Sequence, residues 1–138
     1  MKLQKILCIG FNGNELEDNY WQQLNELVEA RELITEDQLS NHTDGDGLLV
    51  KLGAKVPKET IDQLPNLTYI GMLGTGYGGI DTEYAASKGI TVTNIADYAT
   101  EGVAEFTFGI LLEYYRDIAK ARTQAKNGNY SDNFTGGE

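Results

Sequence analysis

Hydrophobic positions alternate along the chain between two kinds of run. Lys5 to Phe11 is a short apolar, β-prone run, Asn12-Gly-Asn14 a turn, and Glu15 to Ala30 carries Leu16, Tyr20, Leu24, Leu27 and Val28 at spacings of three and four. That reads as a strand followed by a helix. Glu32 to Thr35 is a short strand candidate, and Gly45 to Val50 a better one, entered from a polar loop, Ser40 to Asp46. Pro57 opens a helix to Leu64, because a proline at a first helical position has no N–H to lose, and Pro65 ends it. Leu67 to Leu73 is the next strand, Asp81 to Ser87 a brief helix closed by Gly89, and Gly89 to Asn94 a fifth strand.

No hairpin turn joins these strands. The pattern predicts an α/β fold, doubly wound and flavodoxin-like, with a parallel five-stranded sheet and flanking helices. A long C-terminal helix follows, from an N-cap at Thr100 to about Lys126, with Gly128 beyond it. Its first half is apolar nearly all round (Val103, Phe106, Phe108, Ile110, Leu111, Leu112), and a helix of that kind needs cover on several sides. The expected layout is 1–99 as a binding domain, 100–126 as the long helix, and 127–138 as a linker.

Composition narrows the functional classes. The 138 residues carry a formal charge of −10, which argues against nucleic acid, since phosphate binding draws on Lys and Arg. No apolar run approaches the roughly 18 residues of a membrane span, and the N-terminus lacks the h-region of a signal peptide, so a cytoplasmic protein is expected. Cys8, the single cysteine, cannot form an internal disulfide and suits a buried apolar site. The Asn-x-Ser/Thr matches at 41, 66, 129 and 133 have no secretory context. The residue pattern offers no metal-ligand set.

Candidate chemistry lies in Gly74-Thr-Gly-Tyr-Gly-Gly-Ile-Asp81, where glycines 74, 76 and 79 spell G-x-G-x-x-G behind a strand. On the residues alone, this is either a dinucleotide turn or a strand-to-helix turn whose glycines serve backbone geometry. The helix that follows is short for a pyrophosphate site, and the acidic candidate Asp97 lies beyond the next strand in a polar loop. An FMN site is excluded by Phe11-Asn-Gly-Asn-Glu-Leu-Glu-Asp18, whose carboxylates would repel a phosphate. A phosphoacceptor receiver is excluded because the third strand ends in Val50-Lys-Leu-Gly53.

Four blocks in order, Leu64-Pro-Asn-Leu-Thr-Tyr-Ile-Gly71, Gly74 to Asp81, Ala85 to Asn94 and Tyr98-Ala-Thr-Glu-Gly-Val-Ala-Glu-Phe-Thr-Phe-Gly109, resemble the N-terminal substrate-binding (catalytic) domain of the D-isomer-specific 2-hydroxyacid dehydrogenases. The wording of Tyr98 to Glu105 is closest to the glycerate dehydrogenase or hydroxypyruvate reductase branch. The resemblance implies that the backbone N–H groups of Thr75 and Gly76 bind the carboxylate of a small 2-keto or 2-hydroxy acid, with Leu52 and Gly53 lining the pocket. It further places Tyr98 near the substrate and Val103 against the cofactor ring. Ala99 stands where some relatives have an asparagine, so that contact is missing.

The family's cofactor, NAD or NADP, and its catalytic Arg, Glu and His belong to a Rossmann domain that follows a segment like Phe134-Thr-Gly-Gly-Glu138. The expectation is therefore a truncated chain: no catalytic residue of its own, no tight cofactor binding, and no activity alone. The only histidine, His42, matches no catalytic position. A second expectation is a non-enzymatic flavodoxin-like module that forms a homo-oligomer through the long helix.

Overall fold

The computed structural model describes residues 2–129, and the expected segment at Phe134–Glu138, with most of the 127–138 linker, lies outside them. The described chain divides after Ala96 into two compact units. The first holds β1 (Leu3–Ile9), α1 (Asp18–Leu27), β2 (Val28–Ile34), a 3₁₀ turn (Glu36–Asn41), β3 (Gly47–Lys51), α2 (Lys58–Asp62), β4 (Tyr69–Leu73), α3 (Thr82–Ser87) and β5 (Thr91–Thr93). The second holds α4 (Thr100–Arg116) and α5 (Ile118–Lys126).

All strand pairs are parallel and the sheet order is β2-β1-β3-β4-β5, the doubly wound arrangement that the alternation of runs predicts. Because side chains alternate across a strand, each face collects its own core. Leu7, Ile9, Leu48, Val50, Ile70 and Met72 lie under Ile61, Leu64 and Ala85 of the α2 and α3 region. Ile6 and Cys8 pack on the other face with Phe11, Trp21 and Val28. Trp21 anchors that smaller core, edge-on to Phe11 with the Arg31 guanidinium 4.3 Å above its ring. Burial pushes the Cys8 thiol up to about 11, with Arg31 pulling weakly the other way, so the cysteine serves as a small apolar side chain.

Several element boundaries differ from the sequence reading: β2 is Val28–Ile34 rather than 32–35, α2 ends at Asp62 rather than Leu64, and β5 is Thr91–Thr93 rather than 89–94. The first helix spans Asp18–Leu27 rather than 15–30, and Val28 belongs to β2. Val28 has a β-branched side chain that is buried opposite Leu3, and sheet pairing there outweighs the helical spacing. Pro57 is the N-cap of α2, one position before the first helical residue, and Thr100 begins α4 behind an Ala99 N-cap that offers no side-chain bond. The single helix expected over 100–126 is two helices. Asp117 (φ +47°) breaks it: its N–H donates to the Glu113 carbonyl at 2.8 Å, and its carboxylate accepts from the Lys120 N–H at 3.3 Å. One aspartate thus caps the end of α4 and the start of α5.

Within the second unit no residue of α4 is buried, and Phe106, Phe108, Tyr114 and Tyr115 are among its exposed aromatic side chains. No helix of the described residues is long and apolar enough to cross a membrane.

Candidate functional site

Parallel sheets place their binding loops at the carboxyl ends of the strands. Two turns meet there. Leu52 and Gly53 follow β3, and the glycine-rich turn 74–79 follows β4, its neighbour in the sheet. Lys51 is in register with Leu73, so the two turns leave the sheet side by side, and Leu52 Cδ1 would lie 3.5 Å from a Cβ at Gly74. Gly53 takes φ +97°, a left-handed conformation that favours glycine.

The turn after β4 is held at both ends and open in the middle. The Gly74 carbonyl accepts from the Ile95 N–H at 3.0 Å, and the Thr75 carbonyl accepts from Asn94 Nδ2 at 2.7 Å. At the far end the Gly79 carbonyl accepts from the Val56 N–H at 2.8 Å, and the Asp81 N–H donates to the Val56 carbonyl at 3.0 Å. These bonds occupy the carbonyls of Gly74, Thr75 and Gly79. Among the described residues, no protein oxygen accepts from the N–H of Thr75 or Gly76, and both residues are exposed. Two neighbouring donors left without an internal partner suit a small anion.

The three glycines of the motif do different things. None of them has a left-handed φ. Gly76 has no atom within 4 Å of a Cβ position, so its lack of a side chain gives access. A Cβ on Gly79 would lie 2.7 Å from the Ala54 carbonyl oxygen, so its role is close backbone approach.

A dinucleotide fit fails on the structure. The helix behind the motif, α3, is six residues long, and its N-terminus already holds the Asp81 carboxylate, which accepts from the Tyr84 N–H at 3.0 Å. A pyrophosphate would have to displace that carboxylate from a helix too short to attract it.

Tyr98 and Val103 belong to the second unit, on the approach to α4 and in its first turn, and both are exposed. His42 ends the 3₁₀ turn before β3, and its Nδ1 lies 2.5 Å from Oε2 of Glu32 on β2. Lys5, whose ammonium is held charged above its usual range, chiefly by Glu32 and also by Asp44, completes that cluster. The histidine therefore stands against the edge strand β2, with β1 and β3 between it and the strand that carries the glycine turn. An apolar groove of about 590 Å³, lined by Leu3, Leu24, Leu27 and Tyr69, opens at the amino ends of β1 and β4. No group of three or more metal-binding side chains occurs among the described residues.

Sequence reasoning read one cluster only in part. Glu15, the N–H groups of Asn12 and Gly13, and the Lys51 ammonium converge at the carboxyl ends of β1 and β3. Glu15 and Lys51 are 36 positions apart, and only the adjacency of β1 and β3 joins them.

The family model of the D-isomer specific 2-hydroxyacid dehydrogenase catalytic domain matches residues 9–134. D-3-phosphoglycerate dehydrogenase of Methanocaldococcus jannaschii is 36% identical over 109 residues, 79% of this chain and 21% of the relative. Glyoxylate reductase of Pyrococcus furiosus is 32% identical over 120 residues, 86% of this chain and 35% of the relative. The chain thus spans about a fifth to a third of the length of these relatives. Among solved structures, an NADPH-dependent glyoxylate/hydroxypyruvate reductase of Sinorhizobium meliloti in complex with NADP and malonate superposes with a TM-score of 0.69 at 28% identity, over 92% of this chain and 39% of that one. D-lactate dehydrogenase of Aquifex aeolicus, complexed with NAD and lactic acid, gives 0.69 at 25% identity, over 93% and 39%.

Proposed function

This chain belongs to the D-isomer specific 2-hydroxyacid dehydrogenase family, through that family's catalytic domain, and from this we propose that it supplies the substrate-binding half of an NAD(P)-dependent oxidoreductase acting on the CH–OH group of D-2-hydroxy acids. The observation that carries the reading is the exposed Thr75–Gly76 pair, whose N–H groups have no acceptor among the described residues and stand beside Leu52 and Gly53. Two convergent N–H donors hold a carboxylate in a fixed orientation without adding a cation. The substrate class is a short 2-keto acid such as glyoxylate or hydroxypyruvate, the compounds for which two of the similar reductases are named. Tyr98 packs near the substrate in this reading, and Val103 touches the nicotinamide ring.

Hydride chemistry is not assigned to the described residues, because the glycine turn does not fit a pyrophosphate and His42 stands against the edge strand β2, away from that turn. We expect the 1–138 polypeptide alone to bind glyoxylate weakly and to turn over neither glyoxylate nor hydroxypyruvate with NADH or NADPH. Glyoxylate added to ¹⁵N-labelled protein should shift the Thr75 and Gly76 amide signals, while absorbance at 340 nm stays flat. Shifts elsewhere only, or measurable turnover, would contradict the assignment.

A second reading rests on the exposed apolar side chains of α4. A helix apolar on several sides is covered by a partner, and a second copy of the same helix is the simplest one. Sedimentation at micromolar concentration should give a dimer or larger. Clean monomers would count against this reading and leave the first untouched.

A further inference from the structure

The turn between β1 and α1 is built around an anion that the chain itself provides. Gly10 (φ +83°) and Gly13 (φ +92°) take left-handed backbone, which curls the N–H groups of the loop inward. The Asn12 N–H lies 3.1 Å from both Glu15 oxygens, and the Gly13 N–H donates to Oε2 at 3.1 Å. Lys51 Nζ approaches Oε1 at 3.1 Å from the end of β3. Two further bonds fix the loop: the Asn14 N–H donates to Asn12 Oδ1 at 3.0 Å, and Trp21 Nε1 donates to the Gly13 carbonyl at 3.0 Å. Burial pushes the Glu15 carboxyl up, but the Asn12 N–H and the Lys51 ammonium outweigh it and hold the group below the usual carboxylate range.

Two backbone donors and an ammonium form a receptor for an oxyanion. Its location matters, because β3 lies between β1 and β4 in the sheet. Strands are about 4.8 Å apart, and Lys51, the ammonium of the cradle, leaves β3 one strand spacing from β4, which carries the Thr75–Gly76 turn. That single spacing is the scale of a three-carbon acid charged at both ends.

We propose that Glu15 is a built-in anion that closes this cradle, and that it restricts the neighbouring site to small acids with a single carboxylate by turning away those carrying a phosphate at the far end. The proposal rests on the reading of Thr75 and Gly76 as the carboxylate site. Glu15 acts twice: it occupies the donors a phosphate would need, and its charge repels the dianion. The Glu15→Gln substitution keeps the shape and removes the charge, so an external anion competes with a neutral amide oxygen rather than a carboxylate for Lys51 and the two N–H groups.

The test is an amide-shift titration of the 138-residue chain and its Glu15→Gln variant with three probes: inorganic phosphate, 3-phosphoglycerate and D-glycerate. In the parent, phosphate should leave the Asn12 and Gly13 signals in place. In Glu15→Gln it should shift both and bind about tenfold tighter or more, a gain that adding Lys51→Gln removes. 3-Phosphoglycerate should show the same gain with shifts at both turns, and D-glycerate should bind the two proteins alike through Thr75 and Gly76. The Trp21 Nε1 proton signal reports whether the variant keeps its loop. If it does not, the parent still decides: Lys51→Gln alone should raise the pH at which the Glu15 carboxyl carbon titrates, and an unchanged titration overturns the proposal. Equal phosphate binding by parent and variant, or none by a correctly folded variant, also overturns it. If phosphate enters the variant's cradle while no acid shifts Thr75 or Gly76, the carboxylate reading fails, and the selectivity claim with it.

Discussion

Gly79→Ala should destabilise the first unit by about 1–3 kcal/mol, while Gly76→Ala, three residues earlier in the same motif, should change stability by no more than about 0.5 kcal/mol. The difference follows from what a methyl group would meet. At Gly76 it meets nothing within 4 Å. At Gly79 it meets the Ala54 carbonyl oxygen at 2.7 Å, and that oxygen is backbone, which cannot swing aside as a side-chain tip would. The strand-like bridge between Val56 and Ile80 holds the two segments together, with Val56 fully buried and bonded on both sides to Gly79 and Asp81. Ala54 is itself tied back, its N–H donating to the Lys51 carbonyl at 3.0 Å. Relief of the contact must part the bridge or move the turn after β3. Urea unfolding followed by the Trp21 signal measures both variants, and equal midpoints for Gly79→Ala and the parent would show that residues 52–55 yield freely. In that case Leu52 and Gly53 would not be a fixed wall for the neighbouring turn.

Which parts of the molecule were legible in sequence follows from the range of the forces involved. The parallel five-stranded sheet was readable because strand-like and helix-like runs alternate with no hairpin turn between them. Val28 was misread as helical, because its spacing from Leu24 fits a helix while its burial against Leu3 is a long-range fact. The break at Asp117 carries no glycine or proline to announce it. Its only sequence signal is an aspartate, an N-capping residue, set between Arg116 and the Ile118-Ala-Lys-Ala run. The Thr75–Gly76 turn and the Leu52–Gly53 turn came from resemblance, and the Lys51–Leu73 register supplies the physical reason they are neighbours. The Glu15 cradle was half visible: the acids after the first strand were read as repelling a phosphate, and the structure shows one of them, Glu15, accepting from the N–H groups of its own loop. Lys51, read only as a strand end, is what joins that loop to the end of β3.

Ile70→Ala should cost about 2–5 kcal/mol, toward the upper end of that range, and lower the melting temperature by roughly 10–20 °C. Ile70 sits in a row that crosses four strands on one face: Leu7 pairs with Leu48, Leu48 with Ile70, and Ile70 with Val92. Leu7, Leu48 and Ile70 are each 0% exposed, and α2 and α3 close over them, so the space left by three carbons has no side chain free to refill it. Leu49→Ala, on the opposite face and only partly buried, serves as the comparison and should cost distinctly less. Set against a typical total of about 5–15 kcal/mol, the loss at Ile70 is a large share of the folding free energy. It also bears on the site, because β4 carries the Thr75–Gly76 turn and its register is fixed by the residues of this row. A carboxylate that binds only the folded turn must first repay the population lost to unfolding, so glyoxylate should bind Ile70→Ala more weakly as temperature rises toward the lowered midpoint, although no atom of Ile70 lies in the turn. Thermal unfolding by circular dichroism with and without glyoxylate checks both statements. A midpoint within a few degrees of the parent would mean that the row collapses around the smaller side chain, and that the sheet does not hold the turn as rigidly as the register implies.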